Sequence, residues 1–435
     1  MTYKLGLLGL GTVGTGVVQL CRDPYQRHSL TQEIEIYRVG VRSLRKPRGV
    51  ELHADALTTD LESIVRDPQV DIVVEVLGGL EPARTLILTA IAHGKHVVTA
   101  NKAVIARFGE EIFAAAHAQG VYVLLEAAVG GGIPIIQPLR QCLVANRIQG
   151  ILGIVNGTTN FILTRMSQEQ ASFAATLALA QQQGYAEADP SADIDGHDAA
   201  DKITILANLA FGCRVERPQV TCEGIRTVTA TDIRYAQEWG LVIKLLAIAQ
   251  RQGEYLDIRV HPTLIPHQHP LAAVHDVNNA VLILGDPVGE VMLSGPGAGR
   301  GPTASAVMGD VLTIAAHLKS EKTSLNPLLD SPLMESQPLL PIEQVRCRYY
   351  VRVLTADRPG VIGIIGTCFG EHHVSLECIV QKTFHTDPHG GDDQAEIVIL
   401  THNVWEKDLQ SALSTLRQDP VILGIPSLFR VLPEV

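Results

Sequence analysis

The residues best able to do chemistry gather in one acidic stretch, Glu187-Ala188-Asp189-Pro190-Ser191-Ala192-Asp193-Ile194-Asp195-Gly196-His197-Asp198-Ala199-Ala200-Asp201-Lys202. It holds six carboxylates and ends on a lysine. Asp198 and Lys202 are four positions apart, so a helix puts them on one face. Asp198 falls near the start of that helix, where negative charge is favoured. A lysine among carboxylates can hold a substrate hydroxyl or aldehyde oxygen and exchange a proton with it, while carboxylates can bind a substrate ammonium. Asp193-Ile194-Asp195-Gly196 opens like a calcium-binding EF-hand loop, but Lys202 stands where the bidentate glutamate belongs. A solvated acidic loop with one i,i+4 ion pair is the plain alternative.

A second set of residues points to a dinucleotide. Gly9-Leu10-Gly11-Thr12-Val13-Gly14 follows an apolar strand and opens a helix. The first glycine makes the tight turn, the second lets the backbone meet a pyrophosphate, and the third brings helix and strand close. The amides of Thr12, Val13 and Gly14 then face the negative charge. A glycine turn with no ligand is the alternative. After the second strand, where a carboxylate would select NAD, stand Arg42-Ser43-Leu44-Arg45-Lys46. Arg42 can fork onto a 2′-phosphate, which favours NADP and leaves NAD possible; the alternative is a basic, solvated loop. Lys102 ends the run Thr99-Ala100-Asn101-Lys102 at the carboxyl end of a strand, where such sheets bind ligands. It can contact nicotinamide or substrate or donate a proton; equally, it can be a surface lysine.

These residues need elements to position them. Residues 3–125 alternate short β-branched strands (Leu5–Leu8, Ile34–Val41, Asp71–Val76, His96–Thr99, Val121–Leu125) with helical stretches (Val17–Arg22, Leu61–Arg66, Pro82–His93, Gly109–Ala118). That alternation predicts a parallel sheet covered on both faces. Beyond 126 the pattern changes, with helices over Ser172–Gln183 and Asp198–Leu209. Four prolines between 327 and 341 suit an extended connector. After it the order β-α-β-β-α-β predicts a ferredoxin-like unit.

Composition bounds the rest. A chain of 435 residues is too long for one domain of about 100–200 residues. Its net charge of −11 and 4% aromatic content argue against a nucleic-acid or anionic-membrane binder. Seven cysteines without a C-x-x-C pair give no disulfide framework or zinc site and fit a reducing cytoplasm. Glycines interrupt the apolar N-terminus, which therefore does not resemble a signal peptide, and no run reaches the roughly 18–20 apolar residues of a membrane span.

Taken together, the motifs resemble homoserine dehydrogenase in the form with a C-terminal ACT domain. The resemblance spans the chain through Gly9–Gly14, Thr99–Lys102, Glu126–Pro134, Asn156-Gly157-Thr158-Thr159-Asn160, Gly184–Lys202 and Gly295–Ala304. It implies oxidation of L-homoserine to L-aspartate 4-semialdehyde with NAD(P), and the reverse. It makes Lys202 the proton-transferring residue with Asp198 as partner. Glu187 would hold the substrate amino group, Asp193 and Thr158 would stand at the substrate, and Lys102 would lie between cofactor and substrate. Gly299 would belong to a late segment, 295–320, that returns to the cofactor. Glu126, Val129, Gly131 and Ile133 match a monovalent-cation site, sodium by resemblance, held largely by carbonyls; a glycine-rich bend is the alternative. Asp357-Arg358-Pro359-Gly360-Val361 resembles the ACT signature, implying a threonine effector, against a packing module with no ligand.

The implied fold class is α/β: a Rossmann-type domain over 1–125, an α+β substrate and dimerisation domain over 126–320, a linker over 321–345, and a ferredoxin-like ACT domain over 346–435. A homodimer or homotetramer, cytoplasmic, without nucleic-acid or membrane partners, completes the expectation. A chain cut at about 345 is expected to keep its chemistry and lose any amino-acid inhibition. Two other readings are another NAD(P)-dependent oxidoreductase of a small amino acid or aldehyde, and a non-enzymatic amino-acid sensor. Lys202 and Asp198 beside Glu187 argue against the sensor, which needs no proton donor.

Overall fold

The structure, a computed structural model, describes residues 2–23, 25, 28–320, 324–330, 335–385 and 394–432. The chain opens with β1 (Tyr3–Leu8), α1 (Thr12–Arg22), β2 (Ile34–Gly40), β3 (Leu57–Thr58), α2 (Leu61–Arg66), β4 (Ile72–Glu75), α3 (Ala83–Ala92), β5 (His96–Thr99), α4 (Lys102–Gln119) and β6 (Val123–Leu124). There follow β7 (Arg147–Ile154), α5 (Gly157–Glu169), α6 (Phe173–Gln182), α7 (Ser191–Ile194), α8 (His197–Phe211), β8 (Cys213–Arg214), β9 (Thr221–Cys222), α9 (Ala230–Glu238), β10 (Leu241–Gln252), β11 (Tyr255–Pro266), β12 (Asn278–Asp286), β13 (Gly289–Pro296) and α10 (Arg300–Lys319). The remainder is β14 (Glu335–Ser336), β15 (Arg346–Ala356), α11 (Val361–Glu371), β16 (Leu376–His385), β17 (Gln394–Thr401), β18 (Val404–Trp405), α12 (Glu406–Leu416) and β19 (Ile422–Val431).

The elements form two compact units that do not follow chain order. The first gathers Met1–Gly157, Ala200–Val220 and Val277–Gln337. Its six-stranded sheet runs β3-β2-β1-β4-β5-β6, all parallel, the doubly wound order. Leu5, Leu7 and Leu8 of β1 and Ile72, Val73 and Val74 of β4 are fully buried, as strands covered on both faces must be. The order reverses between β1 and β4, so the crevice for a ligand opens beyond their carboxyl ends. Val307, Val311 and Ile314 of α10 share the core of this sheet with Val17 and Val18 of α1. β12 pairs antiparallel with β7 and β13 in the same unit.

The second unit gathers Thr158–Ala199, Thr221–Asp276 and Pro338–Val435. β10 and β11 make a twelve-pair hairpin from Leu241↔Pro266 to Gln252↔Tyr255. It turns at Gly253, whose φ of +60° suits a two-residue hairpin turn. β11 pairs in parallel with β19, and the sheet continues β19-β15-β17-β16. The C-terminal elements therefore take the expected β-α-β-β-α-β order, with Val351, Val353, Phe369, Ile397 and Leu413 in their core. Their sheet is continuous with the β10–β11 hairpin, and two buried charge clusters tie it down. Arg352 pairs with Asp232 and Glu396 at 2.7 Å each, and Arg430 pairs with Glu406 and Glu223 at 2.9 Å each.

Three sequence expectations change. Helices α1 and α4 begin at Thr12 and Lys102, earlier than their apolar runs, because backbone and Asn101 caps start them. The four long strands between 241 and 296 gave no period-2 signal, because β10 and β12 bury residues of both faces. The described parts of the proline-rich connector, read from sequence as extended, are anchored. Leu329 is buried, Asp330 takes a hydrogen bond from His117, and β14 pairs with β8 in the first unit. Leu340 donates its N–H to the Leu256 carbonyl in the second. Residues 321–323 and 331–334 of that stretch, and 386–393 of the polar insert after β16, lie outside the described residues. Among the described residues no helix is long and apolar enough to cross a membrane.

Candidate active site

The dinucleotide turn is built as its glycines require. Gly9 sits at φ +106°, and a Cβ there would meet the Val76 carbonyl oxygen at 2.9 Å. A Cβ on Gly14 would lie 2.1 Å from the Gly9 carbonyl oxygen, so helix and turn approach closer than any side chain permits. Around Gly11 a Cβ would meet nothing within 4 Å, which leaves room for a ligand. Gly11 is also the N-cap of α1 and offers no side chain to the first amides, so Thr12, Val13 and Gly14 keep the anion-binding character of a bare helix start.

Arg42 and Ser43 are exposed in the loop beyond β2. Arg48 shapes that loop by donating to the carbonyls of Leu44 at 3.2 Å and Lys46 at 2.9 Å. Gly299, at φ +116°, is the N-cap of α10 and likewise brings no capping side chain. The two glycine-rich stretches interlock. A Cβ on Gly131 would stand 2.4 Å from the Gly297 carbonyl oxygen, and Gly132 donates its N–H to the Pro296 carbonyl at 3.2 Å.

Lys102 is the first residue of α4, half-buried behind the Asn101 cap. Its position depends on Glu75, a fully buried carboxylate that sequence reading missed. Glu75 takes hydrogen bonds from Leu77 N–H at 2.8 Å and Thr99 Oγ1 at 2.6 Å; Thr99 Oγ1 in turn accepts from Asn101 N–H at 3.0 Å. The ends of β4 and β5 are thereby braced together at the ligand crevice. The signal for Glu75 was a lone acid ending the apolar run Ile72–Val74.

Lys202 is 9% exposed on α8, and its Nζ donates to the Val155 carbonyl at 2.6 Å. Asp198 lies one turn earlier on the same helix and is buried. Three of the six acids in the segment have structural tasks. Asp201 is clamped by Arg107 at 3.2 Å and Arg217 at 3.0 Å. Asp195 pairs with Arg226, whose hydrogen bond holds its carboxyl below the usual range. Asp189 takes bonds from the Ser191 hydroxyl at 2.6 Å and amide at 3.1 Å, which lower it likewise. Glu187, Asp193 and Asp198, assigned to the substrate by resemblance, are the other three. In the second unit Thr158 Oγ1 donates to the Tyr185 carbonyl at 2.7 Å, Gln181 Nε2 donates to the Glu187 carbonyl at 3.1 Å, and the Glu187 side chain is exposed.

The Glu126 carboxylate is engaged, taking the amides of Ile135 at 2.5 Å, Ile136 at 2.8 Å and Gln137 at 2.6 Å. Burial still pushes its pKa up, against those amides. Asp310, fully buried beside it, accepts from Glu126 N–H at 2.8 Å and is pushed up to about 7, chiefly by burial. A cavity of about 430 Å³ between α4, α8 and Arg214–Pro218 is lined by none of the candidate residues, so it is not taken as the active site.

A bare helix start at the switch point of a doubly wound sheet, with a buried lysine on a helix of the same unit, fits a dinucleotide-dependent enzyme, and its relatives make it an NAD(P)-dependent oxidoreductase acting on a CH–OH group. Residues 9–126 match the family model for the NAD-binding domain of homoserine dehydrogenase, and residues 134–312 match that for homoserine dehydrogenase. A Synechocystis homoserine dehydrogenase is 58% identical, the match covering 99% of this chain and 100% of that protein. A homoserine dehydrogenase crystal structure from Thiobacillus denitrificans is 43% identical with a TM-score of 0.90, covering 99% of this chain and 98% of that one. A hyperthermophilic archaeal homoserine dehydrogenase, solved in complex with NADPH, is 28% identical with a TM-score of 0.62, covering 73% of this chain and 98% of that one. The chain belongs to the homoserine dehydrogenase family.

Proposed function

We propose that this enzyme is NADP-preferring, interconverts L-homoserine and L-aspartate 4-semialdehyde on the route to threonine, methionine and isoleucine, works in the cytoplasm as a homodimer or homotetramer, and is feedback-regulated through a C-terminal ACT domain that takes threonine. The observation that carries the chemistry is Lys202, buried and held through Nζ on α8 within the unit that bears the dinucleotide turn. Bound nicotinamide supplies or accepts the hydride. The chain's task is to orient two carbons and move one proton. In oxidation Lys202 Nζ would take the proton of the substrate hydroxyl. In reduction a charged Lys202 returns that proton to the new alkoxide. Asp198 is the partner of Lys202, Glu187 and Asp193 hold the substrate ammonium end, and Thr158 and Lys102 orient the substrate.

Thr12, Val13 and Gly14 amides, flanked by Gly9, Gly11 and Gly299, would hold the pyrophosphate, and Arg42 the 2′-phosphate. The NADPH-bound archaeal relative supports this cofactor. A sodium ion is assigned to the main-chain oxygens of Glu126, Val129, Gly131 and Ile133, which suit a hard cation. No backbone amide among the described residues donates to the carbonyls of Val129, Gly131 or Ile133. The ion draws on carbonyls because amides occupy the Glu126 carboxylate. Arg42→Ala tests the cofactor assignment. Losing a charge-assisted fork should raise KM for NADP by about 10- to 100-fold and leave KM for NAD unchanged; equal KM values for both cofactors in the parent chain would reject the preference.

A further inference from the structure

Lys244 lies on β10, 3% exposed. Its Nζ donates to Asn160 Oδ1 at 3.0 Å and to the Val274 carbonyl at 2.5 Å. Asn160, itself 1% exposed, donates through Nδ2 to the Val274 carbonyl at 3.2 Å and the Asp276 carbonyl at 3.0 Å. Asp276 is held at φ +55°, outside the range most residues adopt, and gives its N–H to Thr164 Oγ1 at 3.1 Å. The Thr164 hydroxyl closes the ring by donating to the Asn160 carbonyl at 2.7 Å. One buried ammonium thus fastens the first turns of α5 to the loop 274–276. Those turns also carry Thr158, whose hydroxyl holds the Tyr185 carbonyl two residues before Glu187.

We propose that Lys244 is a positioning residue for the reaction: through Asn160 it sets the α5 turn that fixes Thr158 and, by way of the Tyr185 carbonyl, the Glu187 segment that receives the substrate. The inference rests on the substrate roles given above to Thr158 and Glu187. Lys244 itself touches neither substrate nor cofactor.

Its environment supplies a readout that a purely structural lysine would not move. Burial lowers the Lys244 pKa to about 8, opposed by Asp276. Asp276 and His275 face it from the loop, with His267 beyond His275 and Arg165 of α5 paired to Asp276 at 3.3 Å. Its partner across β11 is the uncharged Thr263. Because the folded pKa lies below that of the unfolded chain, the unfolded chain binds more protons between about pH 8 and 10.5, so this group's contribution to stability rises with pH there. Over the same window its charge-assisted bond to Asn160 weakens. Weaker homoserine saturation above pH 8 would then accompany rising, not falling, stability from this group.

The test is steady-state kinetics of the full chain with Lys244→Met, Lys244→Arg and Thr158→Val, together with NADP binding by fluorescence and a pH series from 7 to 9.5. Lys244→Met should raise KM for homoserine about tenfold or more while the Kd for NADP stays within about twofold. Lys244→Arg should keep KM near the parent value and flatten its rise above pH 8. A Met variant with parental homoserine KM, or one that weakens NADP equally, overturns the proposal. If the Met variant does not fold, the Arg variant decides: an unchanged pH dependence of homoserine KM overturns it too. Thr158→Val separates the two layers. An unchanged homoserine KM there rejects the substrate assignment itself, whereas a raised KM with a parental Lys244→Met rejects only Lys244.

Discussion

Lys202 is where chemistry and structure meet most closely. Its Nζ already has a fixed acceptor in the Val155 carbonyl, so its reach is set before any substrate arrives. Removing it should reduce turnover by about 10²- to 10⁴-fold, the range for a lost general acid–base. Stopped-flow or steady-state rates of Lys202→Ala check this alongside cofactor binding, which should persist; near-parental turnover would remove Lys202 as the proton carrier. The sequence made this residue conspicuous because it closes a run of acids that no ordinary helix needs. It did not show which acids serve structure. Asp201 belongs to Arg107, 94 positions away, and to Arg217, and no spacing rule connects them. The task of Glu75 was hidden for a similar reason: its partner Thr99 is 24 positions on, met only because β4 and β5 are neighbours. Lys244 was equally hidden, an isolated charge in an apolar strand whose meaning comes from Asn160 across the fold.

At the scale of elements, sequence and structure agree best where local signals are strong. The strand–turn–helix at the N-terminus follows from three glycines, Gly9 and Gly14 with a steric reason and Gly11 opening the turn, and the parallel sheet follows from short apolar runs. Gly14→Ala probes that reasoning directly. The added Cβ would sit 2.1 Å from the Gly9 carbonyl oxygen, so α1 must move. Backbone shifts of this kind typically cost about 1–3 kcal/mol. The expected result is a lowered urea midpoint together with weakened cofactor binding; an unchanged Kd for NADP would show that the turn tolerates a different helix approach. The long strands β10 to β12 were not legible, since strands buried on both faces lose the alternation that betrays them. The interlocking of Gly131 with Gly297 was also invisible. Each stretch reads as a flexible bend, and only their crossing shows why Gly131 must lack a side chain, while Gly297 is confined by the Asn279 side chain.

Over the whole molecule, the C-terminal order of elements was legible but its independence was not. β19 pairs with β11, Leu256 exchanges hydrogen bonds with Pro338 and Leu340, and Asp232, wholly buried, has its charge answered by Arg352. A chain ending at Gln337 would remove Tyr350, Arg352 and Ser427, three partners of that carboxylate. It would also strip the β11 edge. Such a truncation is therefore expected to be insoluble rather than an active enzyme released from inhibition, and sedimentation of the expressed protein checks this; a soluble, active product would show that the C-terminal unit is dispensable.

The net charge of −11 also divides meaningfully, with acids crowded into 187–201 and basic residues in the loop after β2. With Glu187 and Asp193 proposed for the substrate ammonium and Arg42 for a 2′-phosphate, the reaction to be measured is homoserine oxidation with NADP in preference to NAD. The direct measurement is absorbance of reduced cofactor when the purified full chain meets L-homoserine with NADP, and separately with NAD, at alkaline pH with sodium or potassium present. A homoserine-dependent rise, faster with NADP at equal concentration, is the expected result. No rise with either cofactor would contradict it.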